Sequence, residues 1–414
     1  MARGRNNEWR EPLWLLTGIG IANFGGWVYL IALNLIVLDM TGSPLAVAGL
    51  YIVKPVATLL TNFWAGSVID RVGQRNLMIA LDVFRALLIA CLPFATSLWL
   101  IYGFVLVIHM ASSMFEPASM TYITKLIPKH KRQRFNAFRS LIDSGAFLIG
   151  PAVAGVLFMM GTPVTAIYVN AAALLGSAVI LGFMPKLENQ GALTESSERM
   201  SWKMIREDLY GVLSFSRKSA SVMLIFFLFS CSMMVMTSAI DSQEATFAKT
   251  VLGLTDSDYG FLVSVAGAGI IVGAIVNAVF TKKLNTTTLI GGGAVMVSLG
   301  YIVYALSGSF AVAAIGFFLL AFALAFANTG FHTFTQNNIP VDVMGRTVSV
   351  YSLLEALLII IMTAIIGISA EWLSVQPVVI ASTAVMFAIS AVLWGISYKH
   401  SPEQSAALTP AQNS

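Results

Sequence analysis

Long apolar runs alternate with short polar segments along this chain. Runs of about 20 or more mostly apolar residues are long enough to cross roughly 30 Å of hydrocarbon as a helix. Twelve such runs lie near residues 13–38, 45–69, 76–96, 98–125, 136–160, 163–184, 220–245, 257–281, 286–307, 309–337, 346–369 and 375–398. The pattern predicts an all-α integral membrane protein with twelve transmembrane helices.

A polar segment in the middle of the chain divides these runs into two sets of six. We therefore predict an N-terminal six-helix bundle over residues 1–184, a cytoplasmic linker over 185–219, a C-terminal six-helix bundle over 220–398 and a cytoplasmic tail over 399–414. The two bundles also share sequence. IPKHKRQRFNAFRSLID at 127–143 aligns without gaps with IPVDVMGRTVSVYSLLE at 339–355, which pairs Asp143 with Glu355. Such a repeat predicts two pseudo-symmetric halves.

Composition and charge agree with this architecture. Of the 414 residues, 57% are hydrophobic and 11% are charged, which excludes an ordinary soluble globule. About 20 of the 24 Lys and Arg residues fall in the N-terminus, the even-numbered loops or the C-terminus, so both termini are predicted to be cytoplasmic. Because topology explains the net charge of +4, no nucleic-acid partner is expected. The first run follows three Arg residues without a cleavage pattern, so we expect it to remain in the mature protein.

The loop after the second run carries a recognisable pattern, GSVIDRVGQRNLM. Its matching positions are Gly66, Asp70, Arg71, Gly73 and Arg75. They resemble the loop 2–3 signature G-x-x-x-D-R-x-G-R-R of the major facilitator superfamily, from which Gln74 departs. A carboxylate at a helix end favours contact with the positive pole of another helix. We therefore expect Asp70 to cap the eleventh helix and to stabilise an outward-facing state.

A second pattern, GAFLIGPAVAG, lies in the fifth run. Its small or helix-loosening positions are Gly145, Gly150, Pro151 and Gly155. Glycines allow close helix packing, and proline removes one backbone hydrogen bond. The core resembles the helix 5 motif of exporters of the superfamily, with Ala154 where a second Gly often stands. We expect Gly150 and Pro151 to let the fifth helix move against a small-residue face of the eighth, at Gly267, Gly269 and Gly273.

Further segments narrow the resemblance. VLDMTGSPLAVAGL, LDVFRALLIA, FEPASMTYITKLIP and IGPAVAG together resemble the macrolide-efflux-like branch of drug:proton antiporters. This resemblance implies export of drugs or, as in other members of the branch, of siderophores.

Charged residues inside the apolar runs are the candidates for coupling and binding. Lys54, Glu116, Asp143 and Glu355 each lie about 14 Å from the nearest loop, near the bilayer midplane. We expect Glu116 or Asp143 to neutralise Lys54, and Arg139 to satisfy Asp143. Glu355 then lacks a partner and is the first candidate for proton exchange, with Glu116 and Asp143 as alternatives. Fixed ion pairs that only orient helices are the competing interpretation.

Polar residues elsewhere in the runs complete the candidate substrate cavity. Its members are Lys54, Glu116, Asn23, Asn34, Asn328 and His332. Hydrogen bonds between helices would explain the asparagines equally well, and ordinary packing would explain the histidine.

The chain shows no phosphate-binding loop, metal-ligand spacing or catalytic constellation, so we expect no enzyme activity, cofactor or metal. The favoured function is a secondary active exporter of small amphipathic or hydrophobic molecules that exchanges them for protons by alternating access. We expect it to act as a monomer in the lipid bilayer of a prokaryotic cell membrane. A membrane-embedded receptor or lipid-handling protein on a transporter-like fold is the alternative.

Overall fold

A computed structural model of the chain describes residues 9–62, 65, 72–187, 212, 214, 216–280 and 285–399. Within these ranges every regular element is a helix, and twelve helices are long and apolar enough to span a membrane. The predicted fold class is confirmed. Below, inner and outer denote the sides that the Lys and Arg bias predicts to be cytoplasmic and extracytoplasmic.

The spanning helices are numbered α1 to α12. They are α1 Arg10–Thr41, α2 Pro44–Asn62, α3 Gln74–Cys91, α4 Leu98–Leu126, α5 Lys129–Met160, α6 Pro163–Gly182, α7 Ala220–Asp241, α8 Asp256–Phe280, α9 Thr288–Ala305, α10 Phe310–Asn338, α11 Val341–Leu373 and α12 Val375–Lys399. A short helix, Glu244–Thr250, follows α7. Wide π-helical turns interrupt α7 at Ser230–Met236 and open α9 at Thr288–Gly292.

The repeat seen in the sequence is also visible in the helix boundaries. Leu98 and Phe310 begin α4 and α10, and these two residues are 212 positions apart. In both helices the preceding serine accepts a backbone hydrogen bond, Ser97 from the third residue of α4 and Ser309 from the third residue of α10. The helices α4 and α10 therefore share their N-terminal capping chemistry.

The helices α5 and α11 begin earlier than the apolar runs at 136 and 346 predicted. Pro128 and Pro340 precede their first residues, with φ of −56° and −57°. Proline lacks a backbone N–H and has a fixed φ, so it suits this position directly before a helix. As a result, α5 begins seven residues and α11 five residues before the start of its predicted apolar run.

One compact unit comprises Met1–Ser196 together with Ala248–Gly267. Within it, α1 packs against α5 and α6, and α3 packs against α4 and α6. Its inner end holds a core of buried side chains from these helices, including Leu15, Met78, Met114, Tyr122 and Phe135.

The other compact unit comprises Ser197–Phe247 together with Ala268–Ser414. Its helices α9 and α10 approach so closely that a Cβ on Gly300 would lie 2.5 Å from the Leu320 nitrogen. Three buried hydroxyls join α7, α9 and α12, since Ser390 Oγ lies 2.6 Å from Ser232 Oγ and 2.9 Å from Ser298 Oγ. Close packing of small residues and hydrogen bonds between hydroxyl groups commonly hold membrane helices together.

Candidate functional site

A polar cluster in the first unit joins α1, α4 and α5 inside their membrane spans. Arg139 Nη2 lies 2.7 Å from Glu116 Oε1, and Arg139 Nε lies 3.9 Å from Asp143 Oδ2. Asn23 Nδ2 donates a hydrogen bond of 2.5 Å to Asp143 Oδ1. We call Asn23, Glu116, Arg139 and Asp143 the four-residue cluster. Sequence reasoning anticipated the contact between Arg139 and Asp143, and it is confirmed.

The cluster is accessible and carries net negative charge. The side chain of Glu116 is 61% exposed and that of Asp143 is 43% exposed, whereas Arg139 is only 18% exposed. Two carboxylates face one guanidinium, which leaves one negative charge in excess. A charged group at this depth is costly against lipid but tolerated where it borders a water-filled cavity. The arrangement can therefore attract a cationic group or a proton.

Lys54 on α2 does not join this cluster, so the expectation that Glu116 or Asp143 neutralises it is wrong. Arg139 contacts both carboxylates instead. Among the described residues, none forms an ion pair with Lys54, whose side chain is exposed. The depth of a residue along its helix was predictable, but its direction around the helix was not.

The other asparagine of α1, Asn34, is committed to a contact between helices. It is buried, and its Nδ2 donates to the Tyr51 hydroxyl on α2 at 3.2 Å. This is the interhelical alternative left open for the asparagines. Asn34 and Asn23 therefore differ in accessibility.

In the second unit, Glu355 lies partly buried on α11. No ion pair joins it to any residue that the structure describes, as expected from its lack of a nearby cation in sequence. An aromatic group lies close by along the helix, because Tyr351, one turn earlier, packs against Phe226 with ring centres 5.1 Å apart. Phe331 stacks on Phe229 in the same region, with ring centres 4.1 Å apart.

The remaining two cavity candidates lie on α10. Asn328 is partly buried, and His332 is exposed beside Phe331, with ring centres 6.2 Å apart. Sequence reasoning missed a partly buried hydrogen bond between α8 and the same helix, from Asn277 Nδ2 to Thr329 Oγ1 at 2.6 Å. The only indication of this bond in the sequence was a single asparagine within the apolar run at 257–281.

Only part of the loop pattern is described. Gly66, Asp70 and Arg71 lie outside the described residues, so the expected cap on α11 stays a prediction. Gly73 immediately precedes α3. Arg75 donates from Nε to the Leu181 carbonyl at 2.9 Å and from Nη2 to the Gly182 carbonyl. These carbonyls end α6, so Arg75 caps a helix whose last carbonyls lack partners within the helix.

The glycines of α5 face different helices, which corrects the expected contact of Gly150 with α8. A Cβ on Gly150 would lie 2.6 Å from Trp27 Cβ on α1, and nothing lies within 4 Å of the same position on Gly145. Among these glycines it is Gly155 that meets α8, since Ser257 Oγ donates to its carbonyl at 2.8 Å. The expected contact of Pro151 with α8 is present, because a Cβ on Gly260 would lie 2.7 Å from the Pro151 carbonyl oxygen and 2.7 Å from the Gly155 nitrogen.

The expected small-residue face on α8 is correct in part. A Cβ on Gly267 would meet Leu148 of α5, as predicted. In contrast, Gly269 and Gly273 lie against α10, at Phe318 and Phe322. Ser264 strengthens the contact with α5, since its hydroxyl donates to the Leu148 carbonyl at 2.7 Å. The first part of α8 is therefore bound to α5 by hydroxyls as well as by glycines.

At the outer end of the first unit, Lys249 bridges two helices. Its Nζ lies 2.7 Å from Asp39 Oδ1 near the end of α1 and 2.7 Å from Asp256 Oδ1 at the start of α8. We call these three residues the outer clasp. The sequence marked Lys249 only as the basic residue on the predicted outer side.

Known proteins with similar sequences are transporters. The chain is 26% identical over 371 residues to the uncharacterized MFS-type transporter YfiS of Bacillus subtilis (strain 168), covering 87% of each chain. It is 24% identical over 200 residues to the multidrug efflux pump Tap of Mycolicibacterium fortuitum, covering 45% of this chain and 48% of that one.

Solved structures give the same fold at low identity. A bacterial homolog of the human lysosomal transporter Spinster, inward-facing and unoccupied, matches with a TM-score of 0.73 at 15% identity, over 96% of this chain and 98% of that one. The nucleoside transporter NupG matches with a TM-score of 0.73 at 12% identity, over 96% and 100% of the two chains. The Major Facilitator Superfamily pattern matches residues 15–363, so the chain belongs to this superfamily of membrane transporters.

Proposed function

We propose that this transporter exports small amphipathic or hydrophobic molecules and drives their export by proton antiport with alternating access. The observation that carries the proposal is the accessible, net-negative four-residue cluster inside the membrane spans. A carboxylate in excess at this depth suits a positively charged, largely apolar molecule. The multidrug efflux pump Tap, which resembles nearly half of the chain, supports export of this class.

Asp143 and Glu355, which occupy equivalent positions in the sequence repeat, have different roles in this proposal. Asp143 is held by Asn23 and lies near Arg139, so its charge has fixed partners. Glu355 lies partly buried and has no ion-pair partner among the described residues. We assign proton exchange to Glu355, a positioning role to Asp143 and contact with a cationic substrate to Glu116.

The experiment uses the full chain in proteoliposomes with a fluorescent cationic dye, such as ethidium, as the probe. Glu355→Gln should abolish dye accumulation driven by a pH difference while preserving downhill dye exchange, because only the coupled step needs a titrating group. Glu371→Gln, which removes a carboxylate near the outer end of the same helix, is the matched control and should behave as wild type. If Glu355→Gln still accumulates dye against a gradient when a pH difference is imposed, the proton assignment is wrong.

A further inference from the structure

An aromatic and cationic group lies where α1 and α5 begin, apart from the four-residue cluster. The Arg134 guanidinium carbon lies 5.1 Å from the ring centre of Trp9 and 5.5 Å from that of Phe138. The two rings meet edge to face, with centres 6.1 Å apart, and Lys131 Nζ lies 5.9 Å from the Trp9 ring. We call Trp9, Lys131, Arg134 and Phe138 the inner cation patch.

The neighbouring Arg132 has hydrogen-bond partners in the protein, whereas Arg134 has none among the described residues. Arg132 donates to the carbonyls of Ile127 and Thr124 at 3.0 and 2.7 Å, and so caps the end of α4. No carboxylate of the described residues lies within ion-pair distance of Arg134. A cation–π contact occupies no conventional hydrogen-bond acceptor, so the N–H groups of the Arg134 guanidinium remain available to an oxyanion.

The charge of the surrounding sequence selects an anion. Residues 127–138 and 9–13 contain one carboxylate, that of Glu11. The same two segments contain five Lys and Arg residues, namely Arg10, Lys129, Lys131, Arg132 and Arg134. A cluster of this size beside a membrane helix attracts acidic lipid headgroups.

The surface next to the patch is apolar and exposed. On α5, Leu141 lies seven residues beyond Arg134, hence on the same face, and is 65% exposed. On α1, Leu13 follows Trp9 by one turn and is 52% exposed. Cations at the level where the apolar run begins, with exposed leucines one or two turns deeper, match a phosphate attached to acyl chains. A free phosphate ion, by contrast, would make no contact with these leucines.

We propose that the inner cation patch binds the phosphate of an anionic phospholipid of the inner leaflet, with Arg134 as its chief ligand. The lipid chains lie along the exposed faces of α1 and α5 at Leu13 and Leu141. This inference is independent of the substrate and of the coupling ion.

The first test measures the thermal stability of the purified full-length protein in micelles that contain either phosphatidylglycerol or phosphatidylcholine. Wild type should be stabilised more by phosphatidylglycerol, and Arg134→Gln should need about fivefold more of this lipid for the same stabilisation, as expected for one lost cation. Lys186→Gln, which removes an exposed cation just after α6, is the control and should keep the wild-type response.

A second measurement does not depend on the folding of the Arg134 variant. Fluorescence that Trp9 contributes, obtained as the difference between wild type and Trp9→Phe, should be quenched more by brominated phosphatidylglycerol than by brominated phosphatidylcholine. Equal quenching by the two lipids would overturn the proposal. So would stabilisation by glycerol 3-phosphate without lipid, which would assign the patch to a free phosphate compound, or an Arg134→Gln effect that is independent of lipid charge, which would assign it to an acidic segment of protein.

Discussion

Replacing Lys249 by Gln should loosen the contact between the outer ends of α1 and α8. In the outer clasp, Lys249 Nζ lies 2.7 Å from a carboxylate oxygen of Asp39 and 2.7 Å from one of Asp256. Glutamine keeps much of the side-chain length but removes the charge. Both ion pairs are then lost, and the two carboxylates are left facing each other.

The size of the effect follows from the exposure of the three side chains. Lys249 and Asp256 are each 25% exposed and Asp39 is 50% exposed, so solvent screens the pairs only partly. Ion pairs near a protein surface contribute about 0.2–1 kcal/mol each, and loss of both should cost about 0.4–2 kcal/mol. The ratio of joined to separated helix ends should therefore fall by about two- to thirtyfold.

The direction in which stabilisation by the outer clasp depends on pH follows from the pKa of Lys249. Partial burial by itself would lower the pKa of Lys249, but hydrogen bonds and charges of Asp256 and Asp39 outweigh it and raise the pKa above its ordinary value. A raised lysine pKa means that the stabilisation is fully present below about pH 10.4 and is lost as pH rises through the folded pKa. The effect of Lys249→Gln should thus be the same at about pH 6 and about pH 8.

Spin labels on the two helix ends provide the assay. The native cysteines, Cys91 and Cys231, are first replaced by serine, and labels are attached at Met40→Cys and Leu252→Cys. Pulsed electron resonance then gives the distance distribution between the labels. Lys249→Gln should add a population at longer distance that wild type lacks or shows only weakly.

Two controls separate the clasp from a general effect of charge. Lys218→Gln removes an exposed cation just before α7, on the predicted inner side, and should leave the distance distribution unchanged. Exchanging the charges with Asp39→Lys and Lys249→Glu should restore the short distance in part, because positions 39 and 249 again carry opposite charges, although position 249 then repels Asp256. An identical distribution in wild type and Lys249→Gln would refute the reasoning.

Two further substitutions test contacts in the first unit. Gly155→Leu should overpack the contact between α5 and α8, destabilise the protein by about 1–3 kcal/mol and reduce transport. Gly145→Leu is the control, because nothing lies within 4 Å of a Cβ at that position, and equal behaviour of the two variants would disprove the packing argument. Arg75→Ala should lower the free energy of unfolding by about 1.5–3 kcal/mol, since it removes charged hydrogen bonds to the end of α6, and a chemical denaturation curve that matches wild type would rule out the cap.

Hydropathy predicted the spanning helices well because each must satisfy its own backbone in lipid and needs a minimum apolar length. The predicted run at 98–125 became α4, Leu98–Leu126, and the run at 309–337 became α10, Phe310–Asn338. The starts of α5 and α11 were less accurate. The first turn of α5 is basic and that of α11 contains an aspartate, so the preceding prolines mark where the helices begin better than hydrophobicity does.

Contacts around each helix axis were harder to predict than positions along it. Gly150 and Gly155 are five residues apart, which turns the second about 140° from the first on an α-helix. One glycine therefore faces α1 and the other faces α8, although the sequence pattern suggested a common surface. For the same reason Lys54 lies at the same predicted depth as Glu116 without contacting it. Arg139 on α5 instead contacts Glu116 on α4 and Asp143 one turn further along α5.

The cations of the chain differ in how their charge is compensated, and the difference follows the membrane. Arg85 and Arg139, inside spans, and Lys249, on the side where cations are disfavoured, each contact a carboxylate of the protein. Arg134, at the predicted inner surface, has no such contact among the described residues. In hydrocarbon a charge needs a partner supplied by the fold, whereas at an anionic surface the lipid can supply it. An unpaired arginine at the inner end of α5 thus has a counterion available from the membrane surface, whereas Lys54, an exposed cation inside a span with no ion pair among the described residues, departs from this pattern.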